Sequence, residues 1–199
     1  MQSNTLTEVA PAKQDLTSQE REQARRVVEA AHQGLVDATR GLSEAQWQFK
    51  PEPDSWSIAE NLEHAVIVQE LVLGPMWAQF AEAPGADPDC QEIDALILSR
   101  FPDRTVKVPA PESLHPTGRW TPPVALDLHL KNSARLNAHI ESTPGLRQLT
   151  RESPPLKALS QGQFVSMDGY QWVLAVAAHS TRHTGQILEV KAHSRFPAA

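Results

Sequence analysis

Three N-terminal helix caps, each followed by apolar residues three and four positions apart, confine this chain to a helical fold. Thr17 with Glu20 and Ser57 with Glu60 make capping boxes, and Asp168 with Gln171 caps a further run. In such a box the first side chain accepts from a backbone amide of the first turn and the second accepts from the cap's own amide. Two donors that a helix start leaves orphaned are thereby satisfied. A pattern that repeats every ~3.6 residues cannot settle as a strand, whose faces alternate residue by residue.

Each run can be followed to its end. After Thr17, Ala24, Val27, Val28, Ala31, Leu35 and Ala38 share a face until Gly41. Pro51, Pro53 and Asp54-Ser55 then mark a connector, with a short turn at Ser43 to Gln46. The second helix starts at Ser57 and carries Ile58, Leu62, Val66, Leu73, Trp77 and Phe80, bent at Gly74-Pro75. From Ala83 to Thr121 prolines recur (Pro84, Pro88, Pro102, Pro109, Pro111, Pro116), leaving room for one short helix at about Gln91 to Arg100. Thr121 before Pro122-Pro123 opens the third helix, with Val124, Leu128, Leu136 and Ile140, to about Thr143-Pro144-Gly145. A polar connector without strands follows to about Met167. In the fourth helix Trp172, Val176, His179, His183, Ile187 and Val190 share one side to about His193. The expectation is an all-α four-helix bundle. The 83–121 segment is too long for a tight hairpin and permits parallel neighbours, hence an up-down-down-up order with a long crossover between helices two and three.

The 199 residues suffice for one domain, expected over residues 17–199 behind a loose tail of residues 1–16. Met1 to Leu16 lacks the apolar stretch of a secretory signal or a membrane span. A formal charge of −6 and the lack of any Lys/Arg run argue against nucleic acid as a partner, and no membrane association is expected. Cys90 is the only cysteine, so no intramolecular disulfide and no cysteine-based zinc knuckle can form, which fits a reducing cytoplasm. A small molecule is therefore the expected partner, with homodimerisation through bundle faces as the default on the general frequency of two-fold oligomers.

His179 and His183 are four apart on a helix, so their rings project from one face and can reach a single ion. Trp172, Val176 and Ile187 point that face inward, where two imidazoles need partners. A metal would satisfy both; the alternative is core histidines bonded to backbone or side-chain acceptors. Ser180, Thr181 and Arg182 stand between them, so the glutamate of a zincin protease is missing. His64, beside Ile67, Val68 and Leu71, is the natural third ligand. His129 and His139 on the third helix are its competitors, but they lie ten residues apart and share their strip with Asn132, which favours solvated or rim positions, and His32, His115 and His193 lie in polar or terminal contexts. Glu60 could orient a ligand or accept a proton from a metal-bound nucleophile, though its cap explains it more simply. Gln186 could hold a ring or a bound water, or be an exposed helix position; Trp47, Trp56 and Trp172 pack the core and only secondarily wall a pocket. Nothing near Cys90 in sequence activates it as a nucleophile.

W-S-I-A-E-N-L-E-H (Trp56 to His64) and G-Y-Q-W-V-L-A-V-A-A-H-S-T-R-H-T-G-Q-I (Gly169 to Ile187) resemble the two signature segments of the DinB-like (DinB/YfiT) superfamily. The resemblance spans roughly Thr17 to His193. It implies an up-down-down-up bundle and a metal site with His64 from helix two and His179 and His183 from helix four. It further implies a divalent ion, zinc, nickel, manganese or iron. Better understood members use a low-molecular-weight thiol such as bacillithiol or mycothiol. Three protein ligands leave an open position, as catalysis requires. The expected function is a metal-dependent transferase that activates such a thiol. The alternatives are a hydrolase using metal-bound water, or a non-catalytic, stress-related metal-binding protein. The long 83–121 connector departs from compact members and lies where it can cover the pocket.

Overall fold

A computed structural model describes residues 15–82, 90–106 and 108–198. Most of the expected 1–16 tail, and Pro84 and Pro88 of the crossover, lie outside the described residues; Leu16, at the tail's boundary, is buried. The described chain is mostly helical with a small three-stranded sheet. Its helices are α1 (Ser18–Thr39), α2 (Glu44–Gln48), α3 (Ile58–Leu71), α4 (Cys90–Arg100), α5 (Pro122–Ser142), α6 (Pro154–Leu159) and α7 (Gly169–Lys191). The capping boxes at Thr17, Ser57 and Asp168 are formed and start α1, α3 and α7. No described helix is long and apolar enough to cross a membrane.

At Gly74-Pro75 the expected bend takes a defined form. α3 gives way to a π-helical turn over Val72–Met76 and then a 3-10 turn over Trp77–Gln79. Pro75 has no N–H to donate to the preceding turn, so the helix cannot continue in α geometry.

α1 packs against α7 and α5, and α3 against α5 and α7. Tyr170 Oη donates to Glu20 O at one end of the α1/α7 contact and Lys191 Nζ to Ala38 O at the other, so those two helices run parallel. His32 meets His129 while Arg21 reaches the carbonyl of Ile140, so α5 is antiparallel to α1. Asn61 meets His183 and His64 meets His179, so α3 is antiparallel to α7.

The stretch read as a polar connector without strands needs correction. Leu146, Leu156, Phe164 and Met167 are buried, and the segment supplies two strands. β1 (Ala81–Glu82), β2 (Leu149–Glu152) and β3 (Ser166–Asp168) pair antiparallel in that order, with Thr150 opposite both Ala81 and Asp168. Strands of two to four residues are too short to display an alternation that sequence can reveal. β3 ends in the cap of α7, and Gly169 sits against Leu146 so closely that a Cβ there would lie 2.7 Å from its Cδ1.

The core falls into two apolar clusters, and the helices cross a polar layer between them. Ala24, Val28, Leu136, Leu174 and Val176 belong to one cluster; Leu35, Leu62, Ala125 and Ile187 belong to the other. On α1, α5 and α7 the residues between these sets include His32, His129, His179 and His183. The site lies in this layer.

Candidate metal centre

α3 and α7 bring His64, His179 and His183 together, close enough to bind a metal. His179 Nε2 lies 3.2 Å from His64 Nε2 and 3.2 Å from His183 Nε2. A tetrahedral ion with bonds of about 2.1 Å spaces its nitrogens about 3.4 Å apart, so the cluster needs little adjustment to accept one. The other ring nitrogens explain why these particular atoms converge. His64 Nδ1 stands 2.8 Å from the carbonyl of Leu114, which can only accept. His64 Nδ1 is thus the protonated nitrogen, and its Nε2 carries a lone pair.

His183 is fixed in the same way. Its Nδ1 lies 3.0 Å from Asn61 Oδ1. The Asn61 amide is oriented by its own donors, since Nδ2 reaches the carbonyls of Ser57 at 2.9 Å and Trp56 at 3.4 Å. Oδ1 must therefore face His183, whose Nε2 lone pair also points inward. His179 then has an acceptor on either side and one proton to offer, and its buried Nδ1 has no partner among the described residues. A cation on the three Nε2 atoms uses all three lone pairs at once, which hydrogen bonding cannot do. The donor set fits a divalent ion, and outward N–H bonds of this kind are the usual support for ligating imidazoles.

Electrostatics favour the same state. Burial holds His179 down to about 3, helped by the neighbouring His64 and Arg182, and burial beside His179 and His64 puts His183 well below the usual range. Burial also lowers His64, opposed by its bond to Leu114. Neutral imidazoles are the ligating form.

Trp56 stands over the cluster, with its ring centroid 4.7 Å from that of His64 and 6.1 Å from that of His183. It is a wall of the site as well as a packing residue. The crossover is tied down around the histidines. Arg182 donates to the carbonyls of Asp103 and Val106, Arg104 pairs with Glu189 at 2.9 Å, and Glu63 accepts from the amides of Thr117, Gly118 and Arg119. A cavity of about 570 Å³ lies elsewhere, beside Glu20, Asp94 and Arg147, whose charges are already paired with one another.

His129 corrects the rim assignment. It is 1% exposed, because positions 125, 129, 132, 136 and 140 form the buried stripe of α5. Its Nε2 lies 3.3 Å from Ser180 Oγ and its Nδ1 3.1 Å from His32 Nδ1, so this second histidine pair is satisfied without a metal. Glu60 keeps its capping role and also pairs with Lys50 at 2.7 Å. Gln186 is partly buried, and Cys90 is a free thiol whose pKa burial raises, as suits an inert side chain.

Burial depresses His129 to about 3, with a contribution from His32. Above about pH 6.5 the residue is neutral folded and unfolded, and it adds no pH dependence. As pH falls from there to about 3 only the unfolded chain takes up the proton, so stability drops by up to about 1.4 kcal/mol per pH unit for each such histidine. Denaturation midpoints of metal-free protein measured across this range should fall steadily, and less steeply in His129→Gln. Equal slopes would show that His129 does not titrate in this way.

Asn61, Glu63 and the Leu114 carbonyl are site groups that sequence reasoning missed. Asn61 was legible as a buried polar position one turn before His64, whereas a backbone carbonyl from a distant loop leaves no sequence signal.

The family model of the DinB superfamily matches residues 27–187. The chain is also similar to the uncharacterized protein YuaE of Bacillus subtilis (strain 168), at 26% identity over 153 residues, covering 76% of this chain and 87% of that protein. No solved structure matches significantly.

Proposed function

Because the chain belongs to the DinB superfamily, we propose that it is a metal-dependent transferase in which His64, His179 and His183 hold a divalent ion at the site of thiol activation. The observation that carries this reading is the approach of His64 Nε2 and His183 Nε2 to within 3.2 Å of His179 Nε2 while Leu114 and Asn61 hold the outer nitrogens of His64 and His183. Bound there, zinc, nickel, manganese or iron supplies Lewis acidity that lowers the pKa of a low-molecular-weight thiol. An all-imidazole set is weakly selective, so the ion follows availability.

This chain's residues supply the rest. The Leu114 carbonyl and the Asn61 amide keep the ring lone pairs of His64 and His183 inward, and the lowered pKa values keep the ligands from competing for protons near neutrality. Trp56, partly exposed, offers an apolar face beside the centre for a small-molecule substrate. The helix pairings and directions support an up-down-down-up four-helix bundle, in which the crossover covers one side of the site. A homodimer in the cytoplasm completes the proposal.

The test is turnover of a model electrophile, 1-chloro-2,4-dinitrobenzene, by metal-loaded protein with and without bacillithiol, mycothiol or glutathione. Consumption only when a thiol is supplied is expected. Thiol-independent hydrolysis of ester or amide substrates would replace the transferase reading with a hydrolase, and no turnover at all would favour a non-catalytic metal-binding protein.

A further inference from the structure

We infer that Glu63 is a positioning residue of the metal centre, acting through the 114–119 segment to set the protonation pattern of the His64 ring. The inference rests on the reading of His64 as a ligand. Glu63 is 3% exposed, and its Oε1 accepts from the amides of Thr117 at 3.0 Å and Arg119 at 2.9 Å while Oε2 accepts from Gly118 at 2.9 Å. Among the described residues its partners are backbone amides and no cation, so the carboxylate grips a loop and does not neutralise a charge. Successive amides can face one anion only where the backbone turns back on itself, and Gly118 supplies the left-handed step at φ +73.

The next residue on α3 is His64, and the same loop delivers its partner. The carbonyl of Leu114 stands 2.8 Å from His64 Nδ1, and Thr117, the first residue in the grip, follows Leu114 by three positions. Two adjacent residues of one helix thus hold two points of one short segment: Glu63 takes its amides, and His64 donates to its carbonyl. Without the grip the Leu114 carbonyl loses its fixed place. His64 Nδ1–H then loses its acceptor, and the proton can move to Nε2, the atom that must present a lone pair. A purely structural role for Glu63 would change stability but not which His64 nitrogen carries the proton.

The test uses the full chain with ¹⁵N-labelled histidine. In the metal-free wild type at neutral pH, NMR should report His64 protonated at Nδ1 and bare at Nε2. In Glu63→Gln, where one face of the side chain becomes a donor that opposes an amide, His64 should shift towards the Nε2–H form. Zinc affinity should fall by roughly 10–100-fold, as for loss of an outer hydrogen bond to a ligand, with the His129 signals unchanged. Gly118→Ala, which strains the left-handed step without touching α3, should move both readouts in the same direction and carries the test if the first variant does not fold. Unaltered His64 signals and zinc affinity in the folded variants would overturn the inference. Failure of the wild type to bind zinc would instead remove the metal reading, and the NMR arm would still decide whether Glu63 controls His64.

Discussion

Replacing His183 by Ala is expected to abolish tight metal binding while the chain still folds. The substitution removes one of the three Nε2 atoms that meet within 4.8 Å, so the loss should exceed the roughly 10–100-fold that removal of an outer hydrogen bond costs. Asn61 Oδ1 loses its donor, and leaving that buried acceptor unmatched costs about 1–3 kcal/mol of stability. The two effects separate in a thermal melt with and without zinc. In the wild type, metal at about a hundred times its dissociation constant should add about 2.7 kcal/mol. In His183→Ala the metal-free melt should fall modestly and the metal-induced increment should vanish. A variant that keeps the increment would show that His183 is no ligand.

The second large effect lies at the other end of α7, where Arg147 organises the fold. Its side chain is 8% exposed and pairs with Asp94 at 2.6 Å, Asp168 at 3.0 Å and Glu20 at 2.8 Å, and its guanidinium lies 4.1 Å from the Tyr170 ring centroid. These contacts tie α1, α4 and the cap of α7 to the turn before β2. In Arg147→Met the volume is kept, but buried carboxylates are left facing one another without their cation. Such a loss costs about 3–5 kcal/mol, or roughly 6–20 °C in melting temperature for a chain of this size. Denaturant melts should show the deficit at neutral pH and a smaller one in mild acid, where protonation relieves the repulsion. A loss below about 1 kcal/mol, the worth of a surface pair, would mean that the network does not hold this end together.

What was legible in the sequence follows from the range of the interactions involved. The starts of α1, α3 and α7 are local events, in which a side chain three residues away satisfies a backbone amide, and the boundaries could be read directly. The break at Gly74-Pro75 was legible for the same reason, although its π-helical form was not. The sheet was invisible because β1 and β2 are separated by 66 positions, 82 to 149, and each strand is too short to show its period. Arg147 gives no local sign of its role, because its partners Glu20, Asp94 and Asp168 come from three distant segments.

The candidate site divides along the same line. His179 and His183 face one way because they lie a helical turn apart, and His64 shares a signature segment with the residues that start its helix. The burial of His129 is hidden in the sequence because neighbouring polar residues mask its phase with Ala125, Leu136 and Ile140. Glu63 carries no sequence signal of its role, since nothing local reveals that a loop more than fifty residues later wraps its carboxylate.

The most direct measurement is elemental analysis of the full chain purified without added metal, followed by titration of the stripped protein with zinc, nickel, manganese and iron. An equimolar divalent ion that is retained through purification or taken up on titration, and is lost when His64, His179 and His183 are together replaced by Ala, is the predicted result. A wild-type chain that carries no metal and binds none of the four would contradict it.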